Sequence, residues 1–206
     1  YVNGEAKADG TVGTTPFSVV HLGQRASTMN FPFNGGLDHV AIYNRALSSD
    51  EIGQLVNKDS VDEGLLVLWD MNETTGMTLA DTAGGNANWI EGHMDGGLQL
   101  DGEYVSVSDL PDVTSTTWAA WVRLDAEANY STAIAATFEG AGAGHTFGFH
   151  GGDNVRKPRV LWNHANGHAS IMSPDPVELG EWNHLAVTYD ADSEAIVLYV
   201  NGEAKA

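Results

Sequence analysis

The chain has 206 residues and no cysteine, and its 28 Asp and Glu against 9 Lys and Arg give a formal net charge of −19. Without thiols it builds no disulfide and no Cys-type zinc or iron–sulfur site. So large an acidic excess argues against nucleic acid and anionic membrane surfaces as partners and makes divalent cations attractive ones.

The chain opens on YVNGEAKA at 1–8, and the same octapeptide returns at 199–206. Identity at that separation is not a chance match, and it reads as the edge of a second copy in a tandem array. On this reading the chain is a single circularly permuted domain. Residues 65–206 form the N-terminal portion of the natural unit, 57–64 (NKDSVDEG) a polar linker, and 1–56 the C-terminal portion. The rival reading is two partial domains. Both copies of the octapeptide want one strand position, so one copy is displaced, disordered or given to a neighbouring copy, which would join chains head to tail by strand exchange.

Further along, FSVVHLG (17–23) reads as a short strand and QRASTMNFPFNGG as a loop. LDHVAIYNRAL is a strand with Leu37, His39, Ala41 and Tyr43 on one face and Asp38, Val40, Ile42 and Asn44 on the other. Ser48, followed three residues later by Glu51, has the spacing of a capping box, and Ile52, Leu55 and Val56 supply the apolar stripe of a short helix. LLVLWDM (65–71) is an apolar strand, and the Gly-, Asn- and Thr-rich segment up to Asn88 is loop. GGLQLDGEYVSVSDL alternates, with a bend at Asp101 and Gly102, and TTWAAWVRLD sets Trp118, Ala120, Val122 and Leu124 against Trp121. HTFGFHG, PRVLWNH, ASIMS, EWNHLAVTYD and AIVLYVNG are further strands, and the pairs Asp9-Gly10, Asn166-Gly167 and Asn201-Gly202 suit tight hairpins. Many strands, one short helix and no βα alternation predict an all-β, two-sheet antiparallel sandwich. No apolar run approaches the roughly 20 residues of a membrane span, and no segment reads as a signal peptide, which says nothing about secretion.

Candidate chemistry is sparse. No strand carries Glu-x-Asp or Glu-x-Glu; Glu139, Glu181 and Asp190 stand alone at strand ends, and Asp190 and Asp192 share a turn, so the chain is read as no enzyme. His164 and His168 flank an Asn-Gly turn and do not make a zinc pair. Trp118, Trp121 and Trp182 belong to strong strands and read as core, whereas Trp89 and Trp162 read as more exposed aromatic platforms. Trp162, with Asn163 and His164 beside it, and Trp89 form the candidate ligand-binding set. FEGAGAGHTFGFHGGDN reads as a variable ligand loop or a connector. Asp38 lies in an apolar strand, where a buried carboxylate requires either backbone donors or a cation.

LLVLWDMNETTGMTLADTAG, GGLQLDGEYVSV, TWAAWVRLD, GEWNHLAVTYD, IVLYVNGE and, most specifically, GGLDHVAIYNRALSSDEIGQL resemble the concanavalin A-like, laminin G-like jelly-roll domains of large extracellular proteins. The resemblance implies a jelly roll in permuted order and a structural Ca2+ held by Asp38, Asp81 and Asp101. Glu103 and Asp95 are substitutes, and His39 stands where the family commonly has an acid. It further implies a non-catalytic adhesion or carbohydrate-recognition repeat at the cell surface or outside the cell, with a glycan, a cell-surface protein or neighbouring copies as partners. A structural spacer or filament repeat and an accessory domain beside a hydrolase are the alternatives.

Overall fold

Two antiparallel sheets face each other across an apolar core in the computed structural model, which describes residues 19–24, 31–72, 88–102, 104–108, 110–111, 113–127, 130–137, 145–150, 155–164 and 167–206. Among these residues the elements are, in order, β1 (Val19–Leu22), β2 (Asn34–Tyr43), α1 (Ser49–Val56), β3 (Leu65–Trp69), β4 (Asn88–Glu91), β5 (Gly96–Asp101), β6 (Val105–Ser108), β7 (Thr116–Leu124), β8 (Tyr130–Thr137), β9 (His145–His150), β10 (Lys157–His164), β11 (Gly167–Met172), β12 (Trp182–Asp190), β13 (Ala195–Val200) and β14 (Glu203–Ala204). One sheet runs β11-β10-β9-β8-β1-β6; the other runs β14-β13-β12-β7-β2-β5-β4, with β3 also paired to β2. This is the all-β two-sheet sandwich with one short helix that the patterning predicts.

The early part of the chain supplies inner strands to both sheets. β1 lies between β6 and β8, and β2 lies between β5 and β7. Val20, Leu22, Phe33, Leu37, Val40 and Ile42 therefore share one core with Leu98, Trp118, Val122, Phe147, Val160 and Leu185. The alternation read in TTWAAWVRLD holds. Trp118, Ala120, Val122 and Leu124 face this core, and Trp121 lies on the opposite face of the sheet.

That opposite face carries a second apolar cluster under the helix. Ile52 and Leu55 of α1 pack with Ala41, Tyr43, Ala119, Ala186 and Tyr199. The helix starts where the sequence places it, with Ser48 Oγ accepting from the Glu51 amide and the Glu51 carboxylate accepting from the Ser48 amide at 2.8 Å. Arg45 adds a fork onto the same carboxylate, with Nη1 donating to Oε2 at 2.9 Å. Its guanidinium and the Ser48 amide hold Glu51 down to about 2.

The faces of β2 differ from the simple alternation. The β2–β7 register shifts between Asp38 and Ala41, and His39 has φ 48°. A bulge adds one residue on one strand and so reverses the facing of everything beyond it. Val40 and Ile42 consequently point into the main core, while Asp38 pairs with Trp121 on the outer face, away from them.

The second copy of the octapeptide is built into the sheet. Tyr199 and Val200 end β13, Asn201 (φ 51°) and Gly202 (φ 84°) form the turn, and Glu203 and Ala204 return as β14. Asn201 is tied on both sides: its amide donates to the His184 carbonyl at 2.8 Å and its Oδ1 accepts from the His184 amide at 2.9 Å. The first copy, at 1–8, lies outside the described residues.

Candidate functional site

Asp38 is fully buried, and the bulge aims its carboxylate at the turn between β4 and β5. Oδ2 accepts the amides of His93 and Met94, each at 2.8 Å, while Oδ1 is buried with no hydrogen-bond partner. Burial raises the Asp38 pKa, and the two amides act against that rise. Of the two solutions open to a buried carboxylate, this oxygen has backbone donors. Gly92 is required here, since a Cβ on it would lie 1.9 Å from the Gly96 carbonyl and 2.7 Å from Asp38 Oδ2. The turn carries His93, which stacks on Trp121 at 3.6 Å between centroids, and His184 meets the same indole edge-on at 5.3 Å. Burial first, then the neighbouring His39 and His93, pushes His184 down to about 4.

The aspartates expected to gather calcium are not brought together by the described residues. Asp101 pairs with Asn34, whose side-chain amide donates to its carboxylate, four positions along β2 from Asp38. At about 3.3 Å per residue that is roughly 13 Å, too far for two carboxylates to share one ion at 2.3–2.6 Å. Asp101 is exposed, as is Asp95, and Asp81 and Glu103 lie outside the described residues. The unpaired Asp38 Oδ1 is one hard oxygen of the six to eight that calcium takes, and no group of three or more metal-ligating side chains occurs among the described residues.

The expected ligand set also separates. Trp162 does not have the exposure that its polar neighbours suggested. It is 4% exposed in the main core, stacked on His145 at 3.7 Å and packed against Trp118 and Tyr189. Strand alternation is the reason: Val160 and Trp162 share the inward face of β10, and Arg159 and Leu161 take the outward one. Trp89 is half-buried on β4 and packs against the core. The side chains of Asn163 and His164 lie outside the described residues, although their backbones pair with β11.

The outward face of β8, β9 and β10 instead holds a cavity of about 320 Å³ lined by Phe31, Tyr130, Thr132, Thr146, Arg159 and Leu161, among others. The most exposed aromatic side chain of its lining is Tyr130, 36% exposed at the start of β8. The Tyr130 ring meets Phe31 at 5.2 Å and His150 at 5.0 Å, both edge-on, and the Arg159 guanidinium carbon lies 5.7 Å from its centroid. Arg159 Nε donates to Ser170 Oγ at 3.0 Å, fixing the guanidinium across the strands. The cavity floor depends on Gly148, where a Cβ would come within 2.0 Å of the Ser131 carbonyl. Ser131 also borders the cavity, and its hydroxyl is buried with no hydrogen-bond partner. No aspartate or glutamate occurs among the described residues lining the cavity.

The family model for the concanavalin A-like lectin/glucanases superfamily matches residues 1–53 and 95–206. No curated protein and no solved structure matches the chain.

Proposed function

Because the chain belongs to the concanavalin A-like lectin/glucanases superfamily, we propose that it is a non-catalytic carbohydrate-recognition and adhesion domain of an extracellular or cell-surface protein, with its sugar site at the Tyr130 cavity. The observation that carries this reading is the Tyr130 ring, partly exposed beside a cavity that also offers hydroxyl and guanidinium donors. An aromatic surface with a few fixed polar groups is the usual means of holding a sugar ring. Lectin is favoured over glucanase by the chemistry of the lining. Glycoside hydrolysis in its common form uses two carboxyl groups flanking the bond, and the described lining supplies none. For the same reason the reading assigns no calcium to the cavity.

The test is glycan-array binding by the wild-type chain and by Tyr130→Ala. Binding that is lost in the variant while its melting temperature holds supports the reading; binding that survives the variant unchanged, or no binding to any glycan, overturns it.

A second reading, a self-associating structural repeat, rests on a different observation. The octapeptide at 199–206 fills the β13–β14 position, and the chain contains an identical segment at 1–8 with the side chains to fill it equally well.

A further inference from the structure

Strand β3 is LLVLW, and it stands at an edge of its sheet. β2 carries β7 along one side; on its other side β5 pairs with residues 34–37 and β3 with residues 40–43. β4 lies beyond β5, but no described strand lies beyond β3. Among the described residues, the far row of β3 amides and carbonyls therefore has no strand partner. Edge strands are normally blunted by a charge or a proline within them, and β3 has five apolar residues in succession. Leu66, Val67 and Trp69 pack on the main core and Leu65 on the cluster under the helix, while Leu68 is 41% exposed.

Leu65 and Leu68 also line a cavity of about 100 Å³, together with Tyr43, Leu55 and Val61. A cavity of about 150 Å³ holds a benzene ring, so this one takes a single aliphatic side chain. A strand added to β3 would lie about 4.8 Å from it, with alternate side chains on the Leu68 face. The ends of β3 are acidic: Asp62 and Glu63 precede it, Asp70 follows it, and all three are exposed. Asp59 and Asp62 border the cavity as well, and the lysine of its lining, Lys58, donates to the His93 carbonyl at 3.1 Å. Two β3 strands paired antiparallel would set Asp70 of each copy against Asp62 and Glu63 of the other, and like charges directly opposite are destabilising. In a chain of net charge −19 the edge thus repels a second copy. Cations at both ends of the incoming strand turn that repulsion into attraction.

We infer that β3 is a docking edge for an extended segment of another protein, apolar at alternate positions and basic at both ends, which adds to the sheet as a strand. Backbone hydrogen bonds along β3 supply the affinity, and the cavity beside Leu65 and Leu68 selects an apolar side chain. Asp62, Glu63 and Asp70 select the flanking Lys or Arg. The edge belongs to the sheet opposite the one that holds the Tyr130 cavity, so it is independent of the carbohydrate reading.

The experiment titrates the full chain with synthetic peptides of about eight residues, a usual strand length, in which Val and Thr alternate. One peptide ends in Lys at both termini, one ends in Glu, and a third is the Lys peptide N-methylated throughout, which leaves it no backbone donor. Expected are binding of the Lys peptide, affinity weaker by about tenfold for the Glu peptide at low salt with the gap closing at high salt, and no binding of the N-methylated form. Hydrogen exchange at the amides of residues 65–69 should slow in the complex. Leu68→Lys, a change at an exposed position, should weaken the Lys peptide by about tenfold while the melting temperature holds. Asp70→Asn should weaken it several-fold and reduce its advantage over the Glu peptide. No binding of the Lys peptide overturns the inference, and so does equal binding of all three peptides, which would be adhesion to an apolar surface. Exchange at 65–69 that is already as slow in the free chain overturns it because the chain then covers its own edge. A dimer that Leu68→Lys dissolves overturns it in favour of a second copy as the occupant.

Discussion

Replacing Asp38 tests how the bulge of β2 is tied to the turn between β4 and β5. Its Oδ2 accepts two backbone amides at 2.8 Å, and hydrogen bonds to a charged group contribute about 1.5–3 kcal/mol each, hence about 3–6 kcal/mol for both. The unpartnered Oδ1 sets about 1–3 kcal/mol against that sum. The middles of the two ranges, about 4.5 and about 2 kcal/mol, leave about 2–3 kcal/mol for Asp38→Ala to lose in urea unfolding, without a further large penalty, because His93 and Met94 are only half-buried and water can reach their freed amides. Asp38→Asn keeps an acceptor for the same amides and should lose about 1 kcal/mol. The pH dependence has a definite sign. Burial raises the Asp38 pKa above its ordinary value of 3.8, so the folded state holds the proton more tightly. Its contribution is then complete below 3.8 and declines as pH rises through the elevated folded value. The stability gap between wild type and Asp38→Asn should narrow over that rise. Hydrogen exchange at the amides of residues 93 and 94 gives the local readout, with faster exchange in Asp38→Ala. The reasoning is refuted if Asp38→Ala unfolds within about 0.5 kcal/mol of wild type or leaves those two amides equally protected. It is refuted as well if a chelator lowers the melting temperature of wild type but not of Asp38→Asn, since a cation would then be what the carboxylate holds.

Glu51 titrates with the opposite sign: the Arg45 guanidinium and the Ser48 amide hold it down to about 2 from 4.5, so its contribution is present above 4.5 and is lost as pH falls through about 2. Thermal melts of wild type and Glu51→Gln should converge over that interval, and a constant gap would show that the pair does not couple to folding. Trp162→Ala should destabilise by about 3–5 kcal/mol, the range for a large buried aromatic, so its denaturation midpoint should fall sharply; a midpoint within error of wild type would mean that the ring is not core. For the two octapeptides, size-exclusion chromatography with light scattering should give a mass that rises with concentration, and Asn3→Pro, which alters only the first copy, should abolish the rise. A strictly monomeric wild type would eliminate exchange.

The helix and the faces of β7 are legible from local sequence, because a capping box and a period of two are short-range signals. Ser48, Glu51, Trp118 and Trp121 all act as their spacing says. The facing of Asp38 is not legible in this way. Nothing in LDHVAIY announces that His39, which is not glycine, takes φ 48°, and one added residue reverses every later side chain. Trp162 misleads for a related reason: its polar neighbours suggest a loop, while its strand partners turn it inward. The cavity escapes a linear reading because Phe31, Tyr130 and Arg159 meet only through strand pairing. A trace of it is nevertheless present, since between 130 and 172 the only acids are Glu139 and Asp153, in a chain that otherwise abounds in them.

The hairpin at 199–204 also bears on aggregation. Identical segments stack in register more readily than unlike ones, and an open sheet edge is the usual template for such growth. Here the sheet ends in β14, only two residues long and exposed, with Lys205 Nζ donating to Glu203 Oε2 at 2.8 Å beside it. The left-handed Asn201 and Gly202 interrupt the extended run in the middle of the octapeptide. A cross-β stack needs about six extended residues of low charge, and YVNGEAKA offers two before its turn and a charged pair after it. The segment can thus occur twice in one chain while remaining a poor seed for fibrils.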